Sequence, residues 1–263
     1  MTAFDFFCVL VMCLAILLFY RALVKNHRNV YEHYKNQRKE ILVLGDSHSN
    51  VFNYINKQRL LPNTYFNVIT VNGATAQGAC NPNSKTNALT IFKNKLRSKT
   101  THDRVMIMLG EVDCGFVIWY RKEKYDTPID TQLNNSIDNL FGFIDTHVRK
   151  YFEPHQIVVI GANLPTLQDH RNIHSEVANL RKEVKASLVD RTKLTLEYNN
   201  ILKRKCADRG YEYIDIVKQT LDPRSGTVNT RFLHENENDH HFSQIKTAPL
   251  WVNLLYDKKI TIL

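Results

Sequence analysis

The stretch Ile41-Leu42-Val43-Leu44-Gly45-Asp46-Ser47-His48-Ser49 constrains this chain more than any other. Four aliphatic residues end in a glycine, and an acid and a hydroxyl follow at once. An unbroken aliphatic run of this kind reads as a strand buried on both faces, as in a parallel sheet. Gly45 permits a sharp turn where that strand ends. Ser47 then reaches the carboxyl edge of the sheet, where open α/β folds place their ligands. Its backbone N–H opens the following helix and presents the positive end of a helix dipole to any developing negative charge. A serine so placed is a candidate nucleophile, and it needs a base from elsewhere in the chain.

With 263 residues there is room for one sizeable α/β domain and an appendage. An apolar content of 43% and a charged content of 23% describe a globular chain rather than a disordered one. The formal charge of +9 invites a nucleic-acid reading. The Lys and Arg residues are scattered, however, and no nucleic-acid-binding signature accompanies them, so nucleic acid is not an expected partner. Attraction to anionic lipid headgroups is the simpler use of the charge.

Phe6 to Tyr20 is an uninterrupted apolar run, with Ala22, Leu23 and Val24 beyond Arg21. No basic residue precedes it and no small-residue cleavage pattern follows, which argues for an uncleaved transmembrane helix rather than a signal peptide. The run is at the short end of the roughly 17–25 residues a span requires, so Arg21 is expected to snorkel. The chain is therefore divided into an anchor (1–25), a juxtamembrane linker (26–40) and a main domain (41–263). Arg21, Lys25, Arg28, Lys35, Arg38 and Lys39 all follow the run, which puts the domain of this single-pass protein on the cytoplasmic face. Beyond the anchor only Cys80, Cys114 and Cys206 remain, with no spacing like a disulfide framework or zinc site. The sequon Asn134-Asn135-Ser136 points the other way, to a lumen.

Periodicity supplies the remaining elements. A helix is expected from Asn50 to Leu60, a strand over Tyr65–Val71, a short helix through Ala88, Leu89, Phe92 and Leu96, and a buried strand over Arg104–Leu109. A helix follows from Gln132 to Phe152, then a strand over Gln156–Gly161. A long helical pattern runs from Val177 through Ile201, with Gly210 as its C-terminal cap, and Tyr211–Val217 reads as a fifth strand. From Ser243 the residues Ile245, Leu250, Trp251, Leu254 and Leu255 describe a closing helix. Strands alternating with helices of this length imply a parallel sheet wound on both faces.

Chemistry-bearing residues gather after the strands and near the C-terminus: Gly45-Asp46-Ser47, the loop Gly73 to Gly78, the loop Gly110-Glu111-Val112-Asp113-Cys114, and His234 to Ser243. Together, in this order, these blocks resemble the SGNH (GDSL-like) esterase and lipase superfamily over about residues 41–257. The fold so implied is a flavodoxin-like three-layer α/β/α domain with a roughly five-stranded parallel sheet, preceded by the N-terminal transmembrane helix. By the same resemblance Ser47 is the nucleophile, Ser47 and Gly78 (Gly73 as alternate) form the oxyanion hole, and no cofactor or metal is expected.

Two blocks depart from the family pattern. Val112 stands where the family carries an Asn whose side chain helps hold the oxyanion. Asn163, after the fourth strand, is the candidate replacement, and Glu111 and Asp113 are candidates for contacting substrate. In the last block the residue three before His241 is Asn238, not Asp. His241 with Asp239 as its orienting acid is preferred, because the family His is commonly succeeded by an apolar and a small polar residue, as His241 is by Phe242 and Ser243. His240 with Glu237 is the alternative, and Asp46 and His240 complete the possible site. His48 is expected to be a pocket wall or exposed.

The resemblance implies a membrane-anchored serine esterase acting on acyl or acetyl esters of lipid or carbohydrate. The alternative is a catalytically weakened relative that transfers acyl groups or binds a glycan or lipid. A basic membrane-surface adaptor is a third reading.

Overall fold

In a computed structural model the described residues are 16–25, 38–98, 102–169, 184–236 and 239–261. The chain divides into two units, Met1–Arg38 and Lys39–Leu263. In the first, residues 16–25 are helical and expose Ile16, Leu17, Leu18 and Phe19. Among the described residues no helix is long and apolar enough to cross a membrane. Most of the expected anchor, and residues 26–37 of the expected linker 26–40, lie outside the described residues, while Lys39 and Glu40 of that linker belong to the first strand of the sheet.

The second unit is built on five parallel strands: β1 (Lys39–Gly45), β2 (Thr64–Thr70), β3 (Arg104–Met108), β4 (Ile157–Ile160) and β5 (Glu212–Ile214). Their order is β2-β1-β3-β4-β5, the flavodoxin-like winding. β1 lies inside the sheet, pairing Ile41–Gly45 with Arg104–Met108 on one side and Lys39–Gly45 with Thr64–Thr70 on the other. Alternate residues of the aliphatic runs therefore feed two cores. Leu42, Leu44, Val105, Ile107, Ile157 and Val159 enter one; Ile41, Val43, Met106, Met108, Val158 and Ile160 enter the other.

The first core is covered by α2 (Ala88–Arg97), α4 (Ile129–Phe143) and α5 (Leu188–Arg209). The second is covered by α1 (Asn50–Gln58) and α7 (Gln244–Asp257), where Phe52 packs between Phe66 and Trp251. Two helical layers thus sandwich the sheet, and strands buried on both faces read as continuous apolar runs.

Three local expectations need correction. The pattern from Val177 does not run as one helix: 184–187 are irregular, and α5 starts at Leu188 behind a Ser187–Asp190 capping box. Residues 170–183 are outside the described set. β5 stops at Ile214, because the Asp215 carboxylate accepts the Val217 N–H and turns the chain into the short α6 (Val217–Thr220). A small antiparallel pair, β6 (Leu221–Asp222) and β7 (Thr227–Val228), follows. In α7, Ile245 faces solvent rather than the core.

Gly45 has an ordinary backbone, and its requirement is one of space. A Cβ there would lie 2.8 Å from Ser49 Cβ and 2.9 Å from the Met108 carbonyl oxygen. Neither neighbour is the end of a flexible chain. Gly45→Ala is expected to destabilise the domain by about 2 kcal/mol, the usual scale of overpacking. Denaturant unfolding monitored by circular dichroism is the check.

Candidate active site

Because the sheet is parallel, the loops after β1, β2, β3 and β4 all leave its carboxyl edge. Ser47 comes first. β1 ends against β3, where Asp46 N–H donates to Met108 O at 3.2 Å, and Ser47–Ser49 then form one 3-10 turn before α1 (Asn50–Gln58). The expected helix start is thus a tight turn. Asp46 is buried and caps it, accepting the His48 N–H at 2.8 Å and contacting His48 Nδ1 at 3.1 Å.

The base arrives from the other end of the chain. Leu233 and Phe242 form an isolated antiparallel bridge, Ser243 N–H donates to Phe232 O, and Phe242 is buried in the second core. That pairing anchors the described residues 239–242 beside the carboxyl edge. It puts His241 Nε2 2.7 Å from Ser47 Oγ and His241 Nδ1 2.6 Å from Asp239 Oδ1. Asp239 also accepts the His241 backbone N–H at 2.8 Å. Burial opposes ionisation of Asp239, but the hydrogen bonds and charge of His241 outweigh it, holding the carboxyl well below the ordinary carboxylate range.

Of the two histidines weighed from sequence, His241 is the one brought to Ser47. His240 stacks beside it, with ring centroids 4.0 Å apart, and its carbonyl accepts Thr166 Oγ1 at 2.5 Å. Glu237 and Asn238 are outside the described residues. Ligand atoms of Asp239, His240 and His241 lie within 4.8 Å of one another, a set able to hold a metal ion. Asp239 Oδ1 and both His241 ring nitrogens are already engaged in the contact chain to Ser47.

Ser47, His48, Asn163, His241, Phe242 and Thr247 line a cleft of only about 20 Å³. Asn163 follows β4, as its position in the sequence suggests. The residue is 7% exposed, and its buried carboxamide oxygen has no hydrogen-bond partner among the described residues. The group of Asn163 able to donate to an oxyanion beside Ser47 is its Nδ2, since the orphaned oxygen can only accept.

Two other expectations change. The Gly78 N–H is already used inside its own turn, donating to Thr75 Oγ1 at 2.8 Å and Thr75 O at 3.1 Å. It is not available as the oxyanion donor proposed from sequence. Asp113 does not face a substrate space either. It is fully buried and accepts Ala76 N–H at 2.7 Å, Gln77 N–H at 3.0 Å and Ser136 Oγ at 2.9 Å, pinning the loop after β2 to the chain after β3. Burial raises its pKa to about 6 against those three donors.

Nor is Gly110–Cys114 an open loop. Gly110 has φ +127 and abuts the Tyr198 ring, and the chain then enters a π-helical turn (Asp113–Val117) leading to α3 (Ile118–Tyr125). Wide helical turns of this kind recur at functional sites. Val112 is buried there.

Glu111 is also buried, and its Oε2 lies 3.5 Å from His48 Nε2. His48 is thus held between two buried carboxylates, Asp46 and Glu111, with its ring 4.6 Å from that of His241. Sequence reasoning treated His48 and Glu111 separately and missed Ser136, whose only signal was the sequon. Nothing in their spacing pairs residues that different strands deliver.

No protein-family model and no curated protein matches the sequence. Solved structures do match the fold. A GDSL-like lipase from Bacteroides thetaiotaomicron is 10% identical, covering 89% of this chain and 96% of its own, with a TM-score of 0.52. A candidate acylhydrolase from Bacteroides fragilis is 11% identical over 86% of this chain and 92% of its own, with a TM-score of 0.52. A structure described as a platelet activating factor from Streptococcus pneumonia is 17% identical over 94% and 98%, with a TM-score of 0.53. The chain shares the fold of these proteins.

Proposed function

We propose that this chain, whose fold is that of the SGNH (GDSL-like) hydrolases, is a serine ester hydrolase acting on acyl or acetyl esters. The observation that carries the reading is the contact chain from Asp239 through His241 to Ser47, at 2.6 and 2.7 Å.

In the acylation step the Ser47 hydroxyl proton passes to His241 Nε2 as Oγ bonds to the ester carbonyl carbon. Asp239 holds the imidazole in the tautomer that leaves Nε2 free to accept, and stabilises the imidazolium. The carbonyl oxygen becomes an oxyanion, held by the Ser47 backbone N–H and the Asn163 carboxamide. The carbon–oxygen bond to the alcohol then breaks, and the alcohol leaves with the proton from His241. Water attacks the acyl-serine, gives a proton to His241, and the acid departs as that proton returns to Ser47 Oγ.

Treating the full chain with a fluorophosphonate probe and measuring intact mass tests this. One adduct on Ser47, lost in His241→Ala, is expected; an unlabelled protein would turn attention to the acyl-transferring or binding alternative. Asn163→Ala is expected to lower kcat about 10²-fold with little change in KM, the scale for one oxyanion donor. Steady-state kinetics on p-nitrophenyl acetate separates the two parameters.

The reading includes a membrane anchor at the apolar run Phe6–Tyr20, with the domain on the cytoplasmic side as the basic residues after the run suggest. The full chain is expected to stay in the membrane pellet through alkaline carbonate extraction, and deletion of residues 1–25 to release it.

A further inference from the structure

The loop after β2 and the helices after β3 flank a second, open cavity of about 500 Å³ at the same carboxyl edge of the sheet that carries Ser47. Small-ligand sites typically span roughly 300–1,000 Å³. Its wall carries two cations, Arg121 and Lys85, together with the carboxamides of Gln77, Asn81 and Asn139 and the Thr75 hydroxyl. No carboxylate lines it among the described residues.

The wall is held in place before any ligand arrives. The Arg121 guanidinium donates to the Gln77 side-chain oxygen, and Asn139 Nδ2 donates to the Gln77 carbonyl at 2.9 Å. The Gln77 N–H is in turn fixed by buried Asp113. Arg121 spends one of its donors this way and keeps others for a ligand.

We infer that this cavity binds the anionic group, phosphate or carboxylate, of a polyhydroxylated alcohol that bears the ester. Two cations with no acid among the lining residues attract an anion, and a guanidinium matches the geometry of either oxyanion. Carboxamides offer both a donor and an acceptor, as hydroxyl groups require. A hydrocarbon chain here would strip those polar groups of water and return nothing. The ester part of this inference rests on the hydrolase reading; the anion site does not.

Isothermal titration of the full chain carrying Ser47→Ala, with glucose, glucose 1-phosphate and glucuronate as probes, tests it. Glucose 1-phosphate or glucuronate is expected to bind about tenfold or more tightly than glucose, and whichever binds better identifies the anion. Arg121→Met and exposed Lys85→Met should each remove about tenfold of the anionic sugar's affinity, whereas Lys57→Met, on α1, should leave it unchanged. Lys85→Met carries the test alone if Arg121→Met melts at a lower temperature than the parent. Equal binding of glucose and its anionic forms, or none, would overturn the inference. So would an equal loss in Lys57→Met, which would mean diffuse attraction to a basic surface. Fluorophosphonate labelling of the unsubstituted chain reads out the hydrolase separately: anion binding without labelling sinks that reading alone, and labelling without anion preference sinks this one.

Discussion

Ester turnover is expected to fall on the order of 10⁶-fold when Ser47 is replaced by Ala, by a similar factor in His241→Ala, and no further when both are replaced. The expectation follows from a single proton path. Ser47 Oγ has His241 Nε2 at 2.7 Å as its base, and without either partner the other has nothing to attack with or nothing to accept from. Losses that would sum to an impossible total in an additive scheme therefore coincide. What survives should be the fraction supplied by binding and by the oxyanion donors. Single-turnover kinetics on an activated acetyl ester of the two single variants and the double variant is the measurement. A double variant far slower than either single one would mean that the two residues act separately, and the mechanism proposed for Ser47 would have to be given up.

The second large effect concerns stability. Asp113→Ala is expected to cost about 4 kcal/mol, because it strands a buried and a half-buried backbone N–H and a buried hydroxyl at once. Ala76 N–H donates to Oδ2, while Gln77 N–H and Ser136 Oγ donate to Oδ1. Asp113→Asn should not rescue it: an amide turns one of those acceptors into a donor facing a donor.

The pH dependence has a definite sign. In the folded chain Asp113 titrates near pH 6, against an unperturbed value of 3.8. It therefore takes up a proton on folding between those values. The contribution of this group to stability is present below about pH 4 and is lost as pH rises to about 6, by roughly 3 kcal/mol. Wild type should thus exceed Asp113→Asn in stability by more at pH 5 than at pH 7.5. Urea unfolding of both proteins at the two pH values decides it, and a gap that widens toward pH 7.5 would show that hydrogen bonding rather than burial dominates at Asp113.

The parts of the fold legible in the sequence are those where local composition and tertiary environment coincide. β1, β3 and β4 are unbroken aliphatic runs because both faces of a central parallel strand are buried. Ser47 was legible because a strand, a glycine and a hydroxyl stand in one stretch of the chain. The start of α5 was misread for the opposite reason: hydrophobic period passes through a cap without registering it, although the Ser187–Asp190 pair was there to be read. The apolar Ile216 and Val217 extend the strand pattern past Ile214, and only the hydrogen bond from Val217 N–H to Asp215 turns them into a helix start.

By itself, then, the sequence determined a doubly wound sheet, a serine at its carboxyl edge, and a short C-terminal list of partners for it. The sheet and the serine are properties of periodicity and of residues adjacent in the chain; the list of partners is what the resemblance implies. Tertiary structure alone decided which partners meet. It brought His241 across 194 positions to Ser47, set Asp239 Oδ1 2.6 Å from His241 Nδ1, spent the Gly78 N–H on Thr75, and enclosed His48 between Asp46 and Glu111. A hydrogen bond is specified to within a few tenths of an ångström by the packing of separate strands and helices, and residue spacing in one dimension carries no such distance.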